Sequence, residues 1–148
     1  MNLANSNNYI YTGPLWIGSE NELVTVVYDT GSDTLLLETD MCSQCIEPVF
    51  HTQASTTYEE ATIETTWKLY GSAQISGKFA TDSVAMDEDN NPPMTLSSFK
   101  FFAAQTQSGI SEEFDGILGM SRQMYTEEYN SDPILLEGLY NASLISKE

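Results

Sequence analysis

The stretch that is most informative about the fold is Leu23-Val-Thr-Val-Val-Tyr-Asp-Thr-Gly-Ser32. The first six are apolar or β-branched, which favours a strand with a buried face. Asp29 to Ser32 carry turn chemistry, so we expect the strand to end there. A carboxylate at the end of a buried strand is costly to desolvate unless hydrogen bonds or a function hold it. Asp-Thr-Gly also makes an ordinary turn, so the tetrapeptide alone leaves structure and function equally open.

Further strand patterns follow along the chain, at 35–37, 63–70, 75–84, 99–104 and 116–119. Two of them flank Gly71-Ser-Ala-Gln74, a short turn with a glycine, and this arrangement predicts a hairpin. Near the C-terminus, Asp132 and Pro133 precede an apolar pattern and predict a short helix with Asp132 as N-cap. The fold class is therefore mostly β with one or two short helices, in a single domain over 1–148.

The composition is strongly acidic: 148 residues contain 22 Asp and Glu against 5 Lys and Arg, with a net charge of −17. Nucleic-acid binding and docking on anionic lipid both need clustered cations, so neither partner is expected. No apolar run approaches the roughly 18 residues that span a bilayer, and the first residues lack a signal-peptide pattern. The chain is then cytosolic, or a targeting segment precedes it. The acidity serves solubility or indicates a compartment of low pH.

The two cysteines, Cys42 and Cys45, form a C-x-x-C pair. Zinc needs two more soft ligands, and the chain has one histidine, His51, so a zinc site is disfavoured. A redox site of the thioredoxin type requires the motif to open a helix, and the following Ile-Glu-Pro is a poor helix start. A small structural disulfide is the favoured interpretation, and it implies an oxidising compartment.

Two other local patterns are weak. Asp87, Asp89 and Asn91 have the spacing of an EF-hand, but Pro92 and Ser98 stand where that loop needs glycine and glutamate, so calcium is rejected. Asn141-Ala-Ser is a possible glycosylation sequon. No metal or other cofactor is expected.

The active-site loop and five further motifs along the chain resemble those of the pepsin-like aspartic proteases. Val26-Val-Tyr-Asp-Thr-Gly-Ser-Asp-Thr-Leu35 resembles the first active-site loop of that family. Tyr11-Thr-Gly-Pro-Leu-Trp-Ile-Gly18 is similar to its opening strand, Cys42 with Cys45 to its small disulfide loop, and Phe50 to Tyr58 to its Phe…Ser-Ser-Thr-Phe segment. Leu69-Tyr-Gly-Ser-Ala-Gln-Ile-Ser-Gly77 is similar to its flap hairpin, and Phe114-Asp-Gly-Ile-Leu-Gly119 to its rear apolar-apolar-Gly element. The resemblance covers the N-terminal lobe only and implies a barrel-like β lobe with a flap hairpin.

The resemblance also implies a mechanism. Two Asp carboxylates share one proton across a bound water; one acts as general base and the other donates to the developing oxyanion. Asp29 would be one of the two, with Ser32 hydrogen-bonded to its outer oxygen and Thr30 and Gly31 supporting the loop. The flap would close over the substrate backbone through Tyr70, Gly71 and Ser72. The structural alternative for Tyr70 is an aromatic side chain that packs at the end of a hairpin strand.

Two departures from the family pattern matter. Leu36 stands where the family usually has a Trp that anchors the flap tyrosine, and leucine cannot donate a hydrogen bond. Only one Asp-Thr-Gly is present, and neither Asp82 nor Asp115 has the position of a second catalytic aspartate. The second carboxylate would come from a missing C-terminal lobe or a second copy of the chain, and the stop after the helix favours the lobe.

The resulting expectation is an aspartic endopeptidase that acts on peptide or protein substrates in a secreted or acidic vacuolar or lysosomal location. The alternative is a catalytically incomplete β module that keeps the cleft and binds or regulates without cutting.

Overall fold

The computed structural model describes residues 3–6, 8–46, 49–62, 65–71, 73–86, 94–110, 114–121 and 134–146. Within these ranges the chain is mostly β, as the sequence predicts. The strands are β1 (Ala4–Ser6), β2 (Ile10–Ile17), β3 (Glu22–Asp29), β4 (Leu35–Glu38), β5 (Glu59–Glu60), β6 (Thr66–Tyr70), β7 (Ala73–Ala85), β8 (Thr95–Ser108) and β9 (Gly116–Gly119). A 3₁₀ turn covers Thr52–Ala54, and one α-helix, α1, covers Leu135–Asn141.

The described strands form one mixed sheet that closes on itself. Their order is β1-β2-β3-β9-β4-β8-β7-β5, with β6 paired to β7. In addition β2 pairs with β7, where Trp16 lies opposite Ala85 and Ile17 opposite Val84. This pairing closes a ring of six strands, β2-β3-β9-β4-β8-β7, which removes the exposed edges of those strands. The barrel-like lobe expected from the resemblance is confirmed.

Buried aliphatic and aromatic side chains form two clusters, on opposite faces of the sheet, because neighbouring residues of β4 and β8 belong to different clusters. The larger cluster includes Leu15, Val26 and Phe101, and helix α1 adds Leu135 and Leu139 to it. Those two leucines are four residues apart and therefore lie on one face of the helix. The smaller cluster lies under the β6–β7 hairpin and consists of the buried side chains of Leu36, Ile75, Phe102 and Ala104.

Helix α1 begins later than the sequence suggests. Its first residue is Leu135, and the N-cap residue Ile134 makes no capping hydrogen bond with its side chain. The cap predicted at Asp132 is not the observed one; Asp132 and Pro133 themselves lie outside the described residues. Burial of Leu135 and Leu139 accounts for the position of the helix better than a local capping signal does.

The predicted hairpin is confirmed as the β6–β7 hairpin, with a tighter turn than expected. Tyr70 pairs with Ala73, so Ala73 and Gln74 belong to β7 and not to the turn. Gly71 has a φ of +57°, a conformation that favours glycine. Strand β6 begins at Thr66, and the residues predicted before it at 63–64 lie outside the described part.

The predicted disulfide is also confirmed: Cys42 and Cys45 are bonded to each other. The amide of Cys42 donates to the carbonyl of Thr39 at 2.8 Å, and the amide of Ser43 donates to the carbonyl of Gln105 at 3.0 Å, which attaches this small loop to β8. Among the described residues, no helix has the length and apolar character needed to cross a membrane.

Candidate functional site

The loop of residues 29–34, here called the Asp29 loop, is held at both ends by strand β9. This strand lies between β3 and β4. It is parallel to β3, with Asp29 opposite Gly119, and antiparallel to β4, with Leu35 opposite Leu118. The amide of Met120 donates to the carbonyl of Asp29 at 2.7 Å, and the amide of Gly119 donates to the carbonyl of Thr34 at 3.0 Å. The loop therefore cannot move without breaking the central pairings of the sheet.

Two glycines make this crossing possible. A Cβ atom on Gly119 would lie 2.4 Å from the amide nitrogen of Thr34, and one on Gly116 would lie 2.3 Å from the carbonyl oxygen of Leu36. No side chain fits at either distance. The glycines that bound the apolar run 116–119 in the sequence are thus explained by close backbone approach.

The carboxylate of Asp29 is fixed by two hydrogen bonds from its own loop. The amide of Gly31 donates to Oδ1 at 2.9 Å, and the hydroxyl of Ser32 donates to Oδ2 at 2.6 Å. Bonds to a charged acceptor are short and strong, so the orientation of the half-buried carboxylate is well defined. Thr30 is exposed, and within the described part of the chain its hydroxyl has no hydrogen-bond partner.

A cleft of about 720 Å³ separates the Asp29 loop from the β6–β7 hairpin. Asp29, Gly31 and Ser32 line it on the loop side, and Tyr70 and Gly71 line it on the hairpin side. The structure therefore brings these five predicted site residues to one cavity. The sixth and seventh, Thr30 and Ser72, are different: Thr30 is not among the lining residues, and Ser72 lies outside the described residues.

Lys68 is a residue of the cleft that the sequence reasoning missed. Its Nζ donates to Oγ1 of Thr34 at 3.0 Å, and it lies 5.3 Å and 5.6 Å from the ring centroids of Phe79 and Phe102. The available signal was the two-residue period of a strand, which places Lys68 on the same face of β6 as Tyr70. Leu36, in place of the family's Trp, is fully buried beside Phe102.

Two buried carboxyl groups lie outside the cleft lining. Glu38 and Asp115 are 3% and 5% exposed, and the amide of Glu38 donates to the carbonyl of Asp115 at 2.8 Å. Burial, together with the charge of Asp115, raises the pKa of Glu38 to about 7. Burial also raises the pKa of Asp115, against the lowering effect of a 2.6 Å hydrogen bond from the amide of Thr25 to its Oδ2.

Asp82, the other aspartate that the sequence excludes as a second catalytic carboxylate, is buried and hydrogen-bonded within the fold. It is 1% exposed and accepts hydrogen bonds at Oδ1 from the hydroxyl of Thr57 at 2.5 Å and the amide of Ser83 at 2.8 Å. Neither it nor Asp115 lines the cleft. A second cleft carboxylate does occur at Asp33, whose Oδ1 accepts the hydroxyl of Thr34 at 3.1 Å.

The remaining predicted sites lie apart from the cleft. Asn141 is exposed at the end of α1, and its glycosylation stays a prediction. The segment with Asp87, Asp89 and Asn91 lies outside the described residues. In the part of the chain that the structure describes, no group of three or more His, Cys, Asp or Glu side chains is arranged to hold a metal ion.

Comparison with known proteins relates this arrangement to one family. A family model described as eukaryotic aspartyl protease matches residues 10–148. The chain is 32% identical to cyprosin of Cynara cardunculus over an alignment of 132 positions, which covers 82% of this chain and 26% of cyprosin. It is 32% identical to cathepsin E of Rattus norvegicus over an alignment of 122 positions, which covers 76% of this chain and 29% of that protein.

A third relative, pepsin II-1 of Oryctolagus cuniculus, is 30% identical over an alignment of 152 positions, which covers 95% of this chain and 37% of the relative. The chain thus spans between 26% and 37% of the length of these three relatives.

Proposed function

Because the chain belongs to the eukaryotic aspartyl protease family, we propose that it supplies one of the two catalytic carboxylates of an aspartic endopeptidase, namely Asp29. The observation that carries this proposal is the pair of hydrogen bonds that fixes both oxygens of Asp29 at the wall of a cleft opposite Tyr70. A general base must have a fixed orientation toward the proton that it removes.

The reaction follows from the carboxylate pair. Asp29, as the ionised member, takes a proton from the water as the water oxygen forms a bond to the peptide carbonyl carbon. The second, protonated carboxyl group donates to the developing oxyanion. Asp29 then gives this proton to the amide nitrogen as the C–N bond breaks and the amine leaves. The proton on the former oxyanion returns to the second carboxyl group as the new carboxylic acid forms, so the pair regains its starting state. Ser32 and Gly31 hold Asp29 in place, while Tyr70, Gly71 and Ser72 cover the substrate backbone.

The second carboxylate comes from outside 1–148. One lobe of a bilobal enzyme is favoured because the relatives are about three times as long as the matched region or more. A second copy of the chain, with two Asp29 residues facing each other, is the other arrangement. Thr30 next to Asp29 is exposed, and its hydroxyl is available to a partner at this face.

An acidic, oxidising location fits this activity. The Cys42–Cys45 disulfide is stable in secretory and extracellular compartments. Glu38, with a pKa of about 7, stays protonated where the shared proton of the carboxylate pair is also kept. We therefore infer a secreted or acidic vacuolar or lysosomal location.

The test is cleavage of a peptide at about pH 4, with the 148-residue chain and the full-length protein compared over a range of concentrations. Asp29→Asn should abolish cleavage, while Glu59→Gln, which removes an exposed carboxylate on β5, should leave it unchanged. Activity of the full-length protein alone supports the two-lobe arrangement, whereas specific activity of the short chain that rises with concentration supports the second copy. Cleavage by a strictly monomeric 148-residue chain would contradict the two-carboxylate mechanism.

The second candidate function is peptide binding without cleavage. It is favoured by the single Asp-Thr-Gly of the sequence, since one such loop supplies one carboxylate of the pair. Binding of an uncleavable peptide, followed by the fluorescence of the exposed Trp67 at the cleft, would persist in Asp29→Asn for this function. Saturable binding together with no cleavage by the full-length protein would favour it over the endopeptidase.

A further inference from the structure

Lys68 joins the β6–β7 hairpin to the Asp29 loop. Its Nζ donates to Oγ1 of Thr34 at 3.0 Å, across a sequence separation of 34 residues. The hydroxyl of Thr34 in turn donates to Oδ1 of Asp33 at 3.1 Å. The three side chains form a continuous hydrogen-bonded chain with a cation at the hairpin end and a carboxylate at the loop end, and charge at the ends of such a chain strengthens it.

The loop end of this connection is rigid. Thr34 is 2% exposed, and its carbonyl accepts the amide of Gly119 at 3.0 Å. A Cβ atom on Gly119 would lie 2.4 Å from the amide nitrogen of Thr34, so the two backbones are in close contact. Thr34, the acceptor of Lys68, is therefore held as rigidly as the core of the sheet.

At the hairpin end, two side chains of β6 face the solvent. Trp67 and Leu69 are 67% and 74% exposed, and a Cβ atom on Gly71 would meet no atom within 4 Å. On the inward face, the stem of Lys68 lies near the rings of Phe79 and Phe102, which gives the ammonium group favourable contacts with both ring faces. Leu36 below these rings has no polar atom in its side chain that could hold the hairpin.

We propose that Lys68 is a positioning residue that fastens the β6–β7 hairpin to the Asp29 loop and so holds Tyr70, on the same face of β6, at the cleft opposite Asp29. The consequence for catalysis rests on the proposed endopeptidase function, but the mechanical role of Lys68 does not. The hairpin is closed by a contact within the chain, so its position over the cleft is set before any substrate binds.

The direct test is hydrogen exchange of the 66–77 amides in the 148-residue chain. Lys68→Met keeps the length of the stem and removes the charge and the donors, and we expect these amides to exchange roughly tenfold faster, as for loss of a charge-assisted hydrogen bond. Thr34→Val should give the same change from the loop side. The double variant should add little to either single one, because both remove one interaction.

The matched control is Lys100→Met, which removes a cation 3.8 Å from the centroid of the Phe79 ring. It should leave exchange at 66–77 unchanged, and Lys68→Arg, which keeps a cation and donors, should restore most of the protection. Equal exchange in Lys68→Met and Lys100→Met would overturn the proposal, as would additive effects of Lys68→Met and Thr34→Val.

A second readout separates this proposal from the function on which it builds. In the full-length protein, Lys68→Met should lower kcat/KM for a peptide roughly tenfold, with recovery in Lys68→Arg. Faster exchange in Lys68→Met together with no cleavage by the unmutated full-length protein would support the role of Lys68 and contradict the endopeptidase. Normal cleavage with unchanged exchange in Lys68→Met would contradict the role of Lys68 alone.

Discussion

Glu38 is a single buried side chain whose protonation makes the stability of the fold depend on pH. It is 3% exposed, and its Oε1 has no hydrogen-bond partner among the described residues. Burial and the neighbouring Asp115 raise its pKa from 4.5 to about 7. The folded state therefore keeps a proton on Glu38 at pH values where the unfolded chain has released it, so raising the pH favours unfolding.

The corresponding prediction concerns stability against pH. The free energy of unfolding should be unaffected by Glu38 below about pH 4.5, should fall as the pH rises through the pKa of about 7, and should be lower by about 3 kcal/mol above it. Glu38→Gln should remove this part of the pH dependence, measured by urea unfolding across the range. Exposed Glu59→Gln is the control and should retain it; an unchanged pH slope in Glu38→Gln would contradict the assignment.

Ser32 is the second residue with a sharp expected outcome. Its hydroxyl donates to Oδ2 of Asp29 at 2.6 Å, so Ser32→Ala frees one oxygen of the carboxylate. Under the proposed endopeptidase function, kcat/KM for a peptide should fall by roughly tenfold to a hundredfold, which is the usual cost of losing a hydrogen bond to a charged group. Ser32→Thr keeps the hydroxyl and should keep most of the activity, and equal losses in both variants would show that packing rather than the hydrogen bond is responsible.

Among the secondary-structure elements, the sequence predicts the strands that have a recognisable pattern of apolar side chains or an adjoining turn motif. Strand β3 and the hairpin were predictable because apolar alternation and a glycine turn are local signals. Strand β1 is fully exposed and β5 consists of two glutamates, so both exist through backbone pairing that no side-chain pattern reveals. The contact of Lys68 with Thr34 depends on how the hairpin lies over the sheet, which is a property of the tertiary structure.

Strand β9 passes so close to the Asp29 loop that a side chain larger than that of Gly119 should destabilise the fold. Gly119→Ala should destabilise the chain by about 3 kcal/mol, since its Cβ atom would lie 2.4 Å from the amide nitrogen of Thr34. Gly71→Ala is the matched control: it has open space around it and a φ of +57°, so it should cost only about 1 kcal/mol. Chemical denaturation measures both, and equal costs would show that β9 can move away from the Asp29 loop.

For the whole molecule, the −17 charge acts on a closed ring of strands whose cations are already engaged. Lys78 pairs with Glu60 at 2.8 Å, Lys68 bonds to Thr34, and Lys100 lies over the ring of Phe79. The other two cations, Arg122 and Lys147, lie outside the described residues. The 22 acidic side chains of the sequence far outnumber its 5 Lys and Arg, and their mutual repulsion acts against the compact state at neutral pH.

The last prediction separates this global repulsion from the local effect of Glu38. At about pH 7, raising the concentration of NaCl from about 0.02 M to about 0.5 M shortens the screening length severalfold and should stabilise the chain by about 1 kcal/mol or more. At about pH 4 many carboxylates are protonated, so the same salt step should have a much smaller effect. Glu38→Gln should keep the salt response, because a buried group is poorly screened, while losing its own pH step. A salt response equal at both pH values, or one that disappears in Glu38→Gln, would contradict surface repulsion as a separate source of the predicted pH dependence.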